Sequence, residues 1–225
     1  EERAPVHQRL DDGAHLVRLA YVAGNGLDQP GIAAPGRIGA LATDRTLEPA
    51  WPIRTDQLGG RPSDPLDKGT RMGPVVSASQ LDVVLGYIAS GTEEGARIAA
   101  GGRRASEINH GKGYFLRPTV FDGVTPQMRI AREEIFGPVL AVLPFDDVND
   151  VVAMANGTDY GLAAGVWTKD VAKAHKVARA IKAGTVWVNT YNLYDPSLPF
   201  GGFKQSGFGR DLGIEAIDGY LETKS

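Results

Sequence analysis

Cysteine is missing from all 225 residues. That absence removes disulfides, thiolate metal sites and every cysteine nucleophile at once. Long apolar runs are missing too, and none reaches the length of a membrane helix. No signal-peptide pattern opens the chain, so a cytoplasmic location is the expectation. A net charge of −3 gives no electrostatic reason to expect nucleic acid or an anionic membrane as partner. The four histidines, His7, His15, His110 and His175, are scattered without metal-ligand spacing, and His175 reads as a partly buried structural residue. No Ser-His-Asp set can be argued, and no Rossmann or P-loop fingerprint appears. With 42% hydrophobic and 23% charged residues, what remains is a soluble globular class, long enough to bury a sizeable core in one domain or two small ones.

The first 61 residues lack more. They contain no Lys, Phe, Ser or Met; the first of each are Lys68, Phe115, Ser63 and Met72. Gly24, Gly26, Gly31, Gly36 and Gly39, with Pro30 and Pro35, interrupt any periodicity. A short helix around Ala14 to Tyr21 is the one element expected there, in an otherwise loop-rich extension. The chain begins at Glu1 rather than Met, and a fragment is the expectation.

From Arg61 onward the pattern becomes orderly. Asp64-Pro65 and Met72-Gly73-Pro74 are turn chemistry. Ser77 is placed to cap a helix over Ala78 to Glu94, with Leu81, Val84, Leu85 and Ile88 on one face and Gly95 at its end. Short strands follow at Ala96–Ala100 and around Tyr114–Phe121. Then comes Arg132-Glu133-Glu134-Ile135-Phe136-Gly137-Pro138-Val139. Two carboxylates, an aromatic ring and a Gly-Pro break stand here at the mouth of an apolar strand, Val139 to Leu143, and ligands of open α/β sheets bind in the loops at strand ends. Asp147 caps a helix over Val148 to Ala155, and Leu162 to Trp167 is a strand. Asp170 starts a helix with Val171, Ala174, Ala178 and Ile181 on one face. Thr185 to Asn189 is a strand, and Ile214 to Leu221 a last helix. This β-α-β spacing argues a mostly parallel sheet flanked by helices. Gly201, Gly202, Gly207 and Gly209 read as a flexible surface loop.

Six stretches, in this order, resemble the C-terminal part of the aldehyde dehydrogenase catalytic domain. They are Asp64-Pro65 with Met72-Gly73-Pro74; Gly113-Tyr114-Phe115 with Pro118-Thr119-Val120-Phe121; Glu133 to Val139; Asn156 to Ala164; Gly184 to Asn189; and Pro199 to Arg210. The resemblance covers residues 62–225. It leaves 1–61 as an unmatched N-terminal segment, either divergent or, given its composition, a GC-rich gene read out of frame. It implies an α/β fold and NAD- or NADP-dependent oxidation of an aldehyde to a carboxylate. In that family a cysteine thiolate attacks the aldehyde, hydride passes to nicotinamide, and water activated by a glutamate releases the acid.

Residue by residue, Glu134 matches the glutamate that holds the nicotinamide ribose hydroxyls. The chemistry suits it, because an ionised carboxylate only accepts hydrogen bonds and a ribose diol donates two. Phe136 matches the aromatic residue beside the nicotinamide ring, and Phe200 a residue near the mouth of the substrate tunnel. The plain alternatives are a solvated surface acid for Glu134, core packing for Phe136 and an anchor of a mobile loop for Phe200. Trp187 and Asn189 read as structural, ending a strand and pinning the loop after it. The nucleophile of the family would fall near Pro30–Gly39, where no cysteine stands, and Glu1 and Glu2 lack the Glu-Leu-Gly-Gly context of the general base. No catalytic residue and no metal ligand is therefore assigned. The chain alone is expected to be inactive and to bind the dinucleotide weakly or not at all. Self-association or pairing with a full-length homologue is its other expected role.

Overall fold

The computed structural model describes residues 62–70 and 72–225 in full and two earlier strands, over 18–22 and 40–44, by their backbone. The elements are β1 (Arg18–Val22), β2 (Ala40–Asp44), α1 (Ala78–Glu93), β3 (Arg97–Ala100), β4 (Thr119–Asp122), α2 (Arg129–Arg132), β5 (Val139–Phe145), α3 (Val148–Asn156), β6 (Tyr160–Gly161), β7 (Ala163–Trp167), α4 (Val171–Ala180), β8 (Thr185–Val188) and β9 (Phe203–Lys204), followed by a 3-10 turn over Ile214–Tyr220. Three helices start at the expected caps. Ser77 accepts from Gln80 N–H, Asp147 from Asn149 N–H and Asp170 from Lys173 N–H, each satisfying a donor the first turn leaves open.

Seven strands form one sheet in the order β3-β4-β5-β2-β1-β7-β8, and β6 pairs with β9 apart from it. Neighbours β4, β5 and β2 run parallel, as do β7 and β8. Because β1 is antiparallel to both β2 and β7, those two point the same way. Only β3 and β1 oppose the common direction, so the sheet is mostly parallel, as the α/β spacing implies.

β5 shows why. Val139, Ala141 and Leu143 face a core with Leu81, Val84 and Ile88 of α1, Phe121 of β4 and Ile130 of α2. The alternate residues Leu140 and Val142 are buried on the other face against Val120. An uninterrupted apolar run is what a strand covered on both faces requires. A second core joins Phe145, Val151 and Ala155 to Ala164 and Val166 of β7 and to Val177 and Ile181.

Four expectations need correction. Arg18–Val22 is a strand rather than part of a helix, because β2 and β7 flank it and satisfy its backbone on both sides; residues 14–17 lie outside the described residues. On α4 the buried stripe is Ala174, Val177 and Ile181, while Val171 is 72% exposed in the first turn, ahead of where the helix meets the sheet. His175 falls off that stripe and is exposed. The final helix is a 3-10 turn with no buried residue, so no tertiary packing supports a full α-helix there.

Phe121, fully buried where α1, α2 and β5 meet, is the most sensitive single core position. Phe121→Ala is expected to cost about 3–5 kcal/mol, seen as a lower urea midpoint at an unchanged slope; a midpoint equal to that of the parent would contradict this account of the core.

Candidate functional site

The loop before β5 is set by one face of α1. Gln80, Val84 and Tyr87 lie on that face at i, i+4 and i+7. Gln80 Nε2 donates to the carbonyls of Ile135 and Phe136 at 3.2 and 3.1 Å. Val84 packs so closely on Gly137 that a β-carbon there would lie 2.5 Å from its methyl group. Tyr87 donates its hydroxyl to Glu133 Oε2 at 2.8 Å, and Arg129 Nε donates to the same oxygen at 2.8 Å while its guanidinium lies 4.3 Å from the Tyr87 ring centre. Across the strand, Thr119 N–H donates to Pro138 O at 2.8 Å.

The two carboxylates part company here. Glu133 has extended backbone, so successive side chains leave on opposite sides. Glu133 turns to Tyr87 and Arg129, and these two hydrogen bonds hold its carboxyl below the ordinary range. Glu134 is half-buried, with Oε1 out of contact with solvent. Phe136 has a left-handed backbone, φ 53, and its side chain is 50% exposed. It belongs to none of the three core clusters.

The second group surrounds the start and end of β8. Asn189 at the end of β8 bonds both ways with Thr168, Nδ2 to Thr168 O at 3.0 Å and Oδ1 from Thr168 N–H at 2.9 Å. Trp187 Nε1 donates to Leu193 O at 2.8 Å. The structural reading of both residues follows from these bonds. The loop then carries aromatic rings across the strand: Tyr191 packs on Trp187 at 4.7 Å, Tyr194 meets Trp187 edge-on at 5.6 Å, and Phe200 meets Tyr194 edge-on at 5.0 Å. Burial raises the hydroxyl pKa of Tyr191 strongly, with a smaller contribution from Tyr194.

Phe200 is half-buried and exchanges both backbone hydrogen bonds with Asp211, at 2.6 and 2.7 Å. Of the glycines after it, Gly201 and Gly202 are closely packed, while Gly209 has open space around it. A β-carbon on Gly184 would strike the Gly201 carbonyl, and one on Gly202 would lie 2.6 Å from Ser206 Cβ. Arg210 Nη1 donates to Gly202 O at 3.1 Å, and the buried Ser206 Oγ accepts from Gly161 N–H at 3.0 Å.

Topology puts the Glu134–Phe136 loop and the Phe200–Gly201 stretch along one edge of the sheet, while the Asn189–Thr168 pair lies at the other. β5, β2, β7 and β8 point the same way, so their first residues face the same edge. Glu134 and Phe136 precede Val139 at the start of β5, and Gly201 lies against Gly184 at the start of β8. Val22, the end of β1, pairs with Ala163, and Ala40, the start of β2, pairs with Tyr21. Both ends of the connection between β1 and β2 therefore stand at this edge, between the two groups. The groups are not in contact. β5 and β8 are four strand spacings apart in the sheet order, about 19 Å at ~4.8 Å each. The Pro30–Gly39 region lies outside the described residues, as do Glu1 and Glu2. No group of three or more His, Asp or Glu that could hold a metal exists among the described residues, and none of their helices is long and apolar enough to cross a membrane.

Sequence reasoning missed Gln80, Tyr87 and Lys204. Gln80 and Tyr87 flank Val84 at helical spacing, a signal that was available. Lys204 donates Nζ to Thr158 O and Asn156 O at 2.6 and 3.3 Å, contacts across 46 and 48 residues that no local pattern encodes.

The Tyr87–Glu133 bond sets a pH prediction. The Glu133 carboxyl titrates below its ordinary value of 4.5 in the folded chain, so its contribution to stability is full above that value and is lost as pH falls through the lower, folded one. Tyr87→Phe is expected to cost about 1 kcal/mol at neutral pH and less in acid. Urea midpoints of the two proteins should converge as pH falls below 4.5; a constant gap would refute this linkage. The contribution is modest, because the Glu133 side chain is 48% exposed.

Comparison with known proteins places this geometry. The model of the Aldehyde dehydrogenase family matches residues 54–225. The betaine aldehyde dehydrogenase of Brucella anthropi is 53% identical over 165 residues, 73% of this chain and 34% of that protein. Betaine aldehyde dehydrogenase 1 of Rhizobium meliloti is 53% identical over 162 residues, 72% of this chain and 33% of its own. Among solved structures, the P. syringae indole-3-acetaldehyde dehydrogenase, a mutant in complex with NAD+ and IAA, superposes with a TM-score of 0.78 at 48% identity, covering 83% of this chain and 38% of that one. The NAD+ complex of a Bacillus cereus aldehyde dehydrogenase gives 0.65 at 56% identity over 69% of this chain and 31% of its own. The chain thus spans about a third of the length of the relatives it matches. Over that third, the strand-mouth loop, the pinned strand end and the glycine-rich tail make this chain a member of the aldehyde dehydrogenase family.

Proposed function

We infer that the chain is the C-terminal part of an NAD(P)-dependent aldehyde dehydrogenase, carrying surfaces for cofactor and substrate without the chemistry. The observation that carries this reading is the Glu134–Phe136 loop, fastened by α1 at the sheet edge in a chain of this family. In an intact protein, a bound dinucleotide would supply the hydride acceptor for aldehyde oxidation, its nicotinamide ring. Glu134 would accept hydrogen bonds from the adjoining ribose. A half-buried carboxylate suits that role, because it is ordered and partly shielded from competing water. The exposed side chain of Phe136, turned out of the core by its left-handed backbone, would lie against the ring. Phe200, at the far end of the same edge, would stand at the mouth of the aldehyde path. NAD+ in the solved P. syringae and B. cereus relatives favours NAD over NADP.

A second reading rests on exposed apolar surface. Phe208 is fully exposed, and Ile214, Ile217 and Tyr220, spaced by three, are 74%, 48% and 90% exposed on the last 3-10 turn. Such a row fits an interaction surface, and the chain would then act by pairing with a full-length homologue. Co-elution of the purified chain with such a homologue on a sizing column would favour this role, and separate elution would refute it.

The primary test is direct. The purified chain, incubated with NAD+ and a panel including betaine aldehyde and indole-3-acetaldehyde, is expected to produce no NADH above a heat-treated control, because it holds no cysteine. NADH formation would overturn the reading of an inactive chain.

A further inference from the structure

Asn156 and Gly157 form an Asn-Gly pair at the C-terminal end of α3. In such a pair the side-chain amide carbon lies open to the next backbone nitrogen, because glycine has no β-carbon to shield it. Attack by that nitrogen forms a C–N bond, closes a five-membered succinimide and expels ammonia. Water then opens the ring to aspartate or isoaspartate.

The fold opposes each requirement of this reaction. Asn156 Nδ2 donates to Ala180 O at 2.9 Å, and Oδ1 accepts from Lys182 N–H at 2.7 Å. Both ends of the amide are thereby engaged with backbone on either side of the buried Ile181. The N–H of Gly157, whose nitrogen would attack, donates to Met154 O at 3.1 Å. Lys204 Nζ bridges Asn156 O and Thr158 O, and so ties the pair to β9.

We propose that Asn156 is a spontaneous deamidation site, held closed by its contacts with the end of α4 and with Lys204, whose conversion unlatches β9 from β6. Aspartate at this position loses the donor to Ala180 O and sets a negative oxygen against that carbonyl. Isoaspartate adds a methylene to the main chain and carries Thr158 O away from Lys204. Isoaspartate thereby loosens the antiparallel Tyr160–Lys204 and Gly161–Phe203 pairing, whereas aspartate frees only the contact with α4.

The test follows the mass gain of about one unit that replacement of ammonia by water brings. The full chain is held at mildly alkaline pH in buffer and in urea, digested, and the peptides bearing Asn156 are read by mass spectrometry. Asn25-Gly26, a second Asn-Gly pair in the same chain, reports the intrinsic rate in urea. Conversion of Asn156 is expected to be at least about tenfold slower in buffer than in urea, the factor that a local opening cost of ~1.4 kcal/mol produces. Equal rates in the two solutions would overturn the claim of a closed site. Lys204→Met, folded by circular dichroism, should raise the native rate at Asn156 several-fold; an unchanged rate would remove Lys204 from the latch. Should that variant not fold, the chain carrying isoaspartate at 156, recovered after incubation in urea and refolded, serves instead. Hydrogen exchange should then show lost protection at the amides of Gly161 and Gln205, with α1 unaffected, and full protection at both would refute the unlatching.

Discussion

The approach of α1 to the loop before β5 is the constraint on which the candidate site depends. Gly137 admits Val84 because it carries no β-carbon, and Val84 is completely buried as a result. That contact fixes the distance at which Gln80 can reach the carbonyls of Ile135 and Phe136. A non-glycine residue with a left-handed backbone costs of order 1–3 kcal/mol and persists only where its surroundings over-determine it. Here two hydrogen bonds from one glutamine and a closely packed helix do so. The outward Phe136 ring is thus a consequence of helix packing several residues away in space and more than fifty in sequence.

The far end of the edge is built by a different device. The glycine-rich tail is read most naturally as slack, yet its glycines are sites of backbone crossing. Gly184 meets Gly201, Gly201 approaches Gly209, and Gly202 meets Ser206. Polar side chains close the remaining gaps, Ser206 onto Gly161 N–H and Arg210 onto Gly202 O. Phe200 enters this assembly through Asp211 on one side and Tyr194 on the other. These two contacts hold the ring from both sides.

What was legible in the sequence follows from the range of each interaction. Caps are local, and Ser77, Asp147 and Asp170 were all readable because side chain and target lie two or three residues apart. The run from Val139 to Leu143 announced a buried strand, and the structure covers it on both faces. Over Arg18–Tyr21 the expected helix gave way to β1, since two neighbouring strands supply its hydrogen bonds and such tertiary pairing overrides local helix propensity. The last helix was misread for the opposite reason, with apolar residues at helical spacing but nothing packed against them. Glu134, Phe136 and Phe200 came from family resemblance, and nothing in composition or periodicity would have separated Glu134 from Glu133. The separation is tertiary: Tyr87 and Arg129 claim one carboxylate and leave the other on the opposite side of an extended backbone.

The division between scaffold and chemistry runs along the same sheet edge. The strands that carry the two groups are four spacings apart in the sheet, about 19 Å at ~4.8 Å each, and the ends of β1 and β2 lie between them. Family resemblance sets the nucleophile in the connection between those strand ends, the natural place for a group that must meet both cofactor and aldehyde. This connection contains no cysteine. Nor does another side chain there replace one. A hydroxyl stays protonated near neutral pH without an adjacent base, and a carboxylate is a poor nucleophile toward an aldehyde, whereas a thiolate is both accessible near neutrality and polarizable. The loop carrying Glu134 and Phe136 is held by α1, through Gln80 on the carbonyls of Ile135 and Phe136 and Val84 on Gly137.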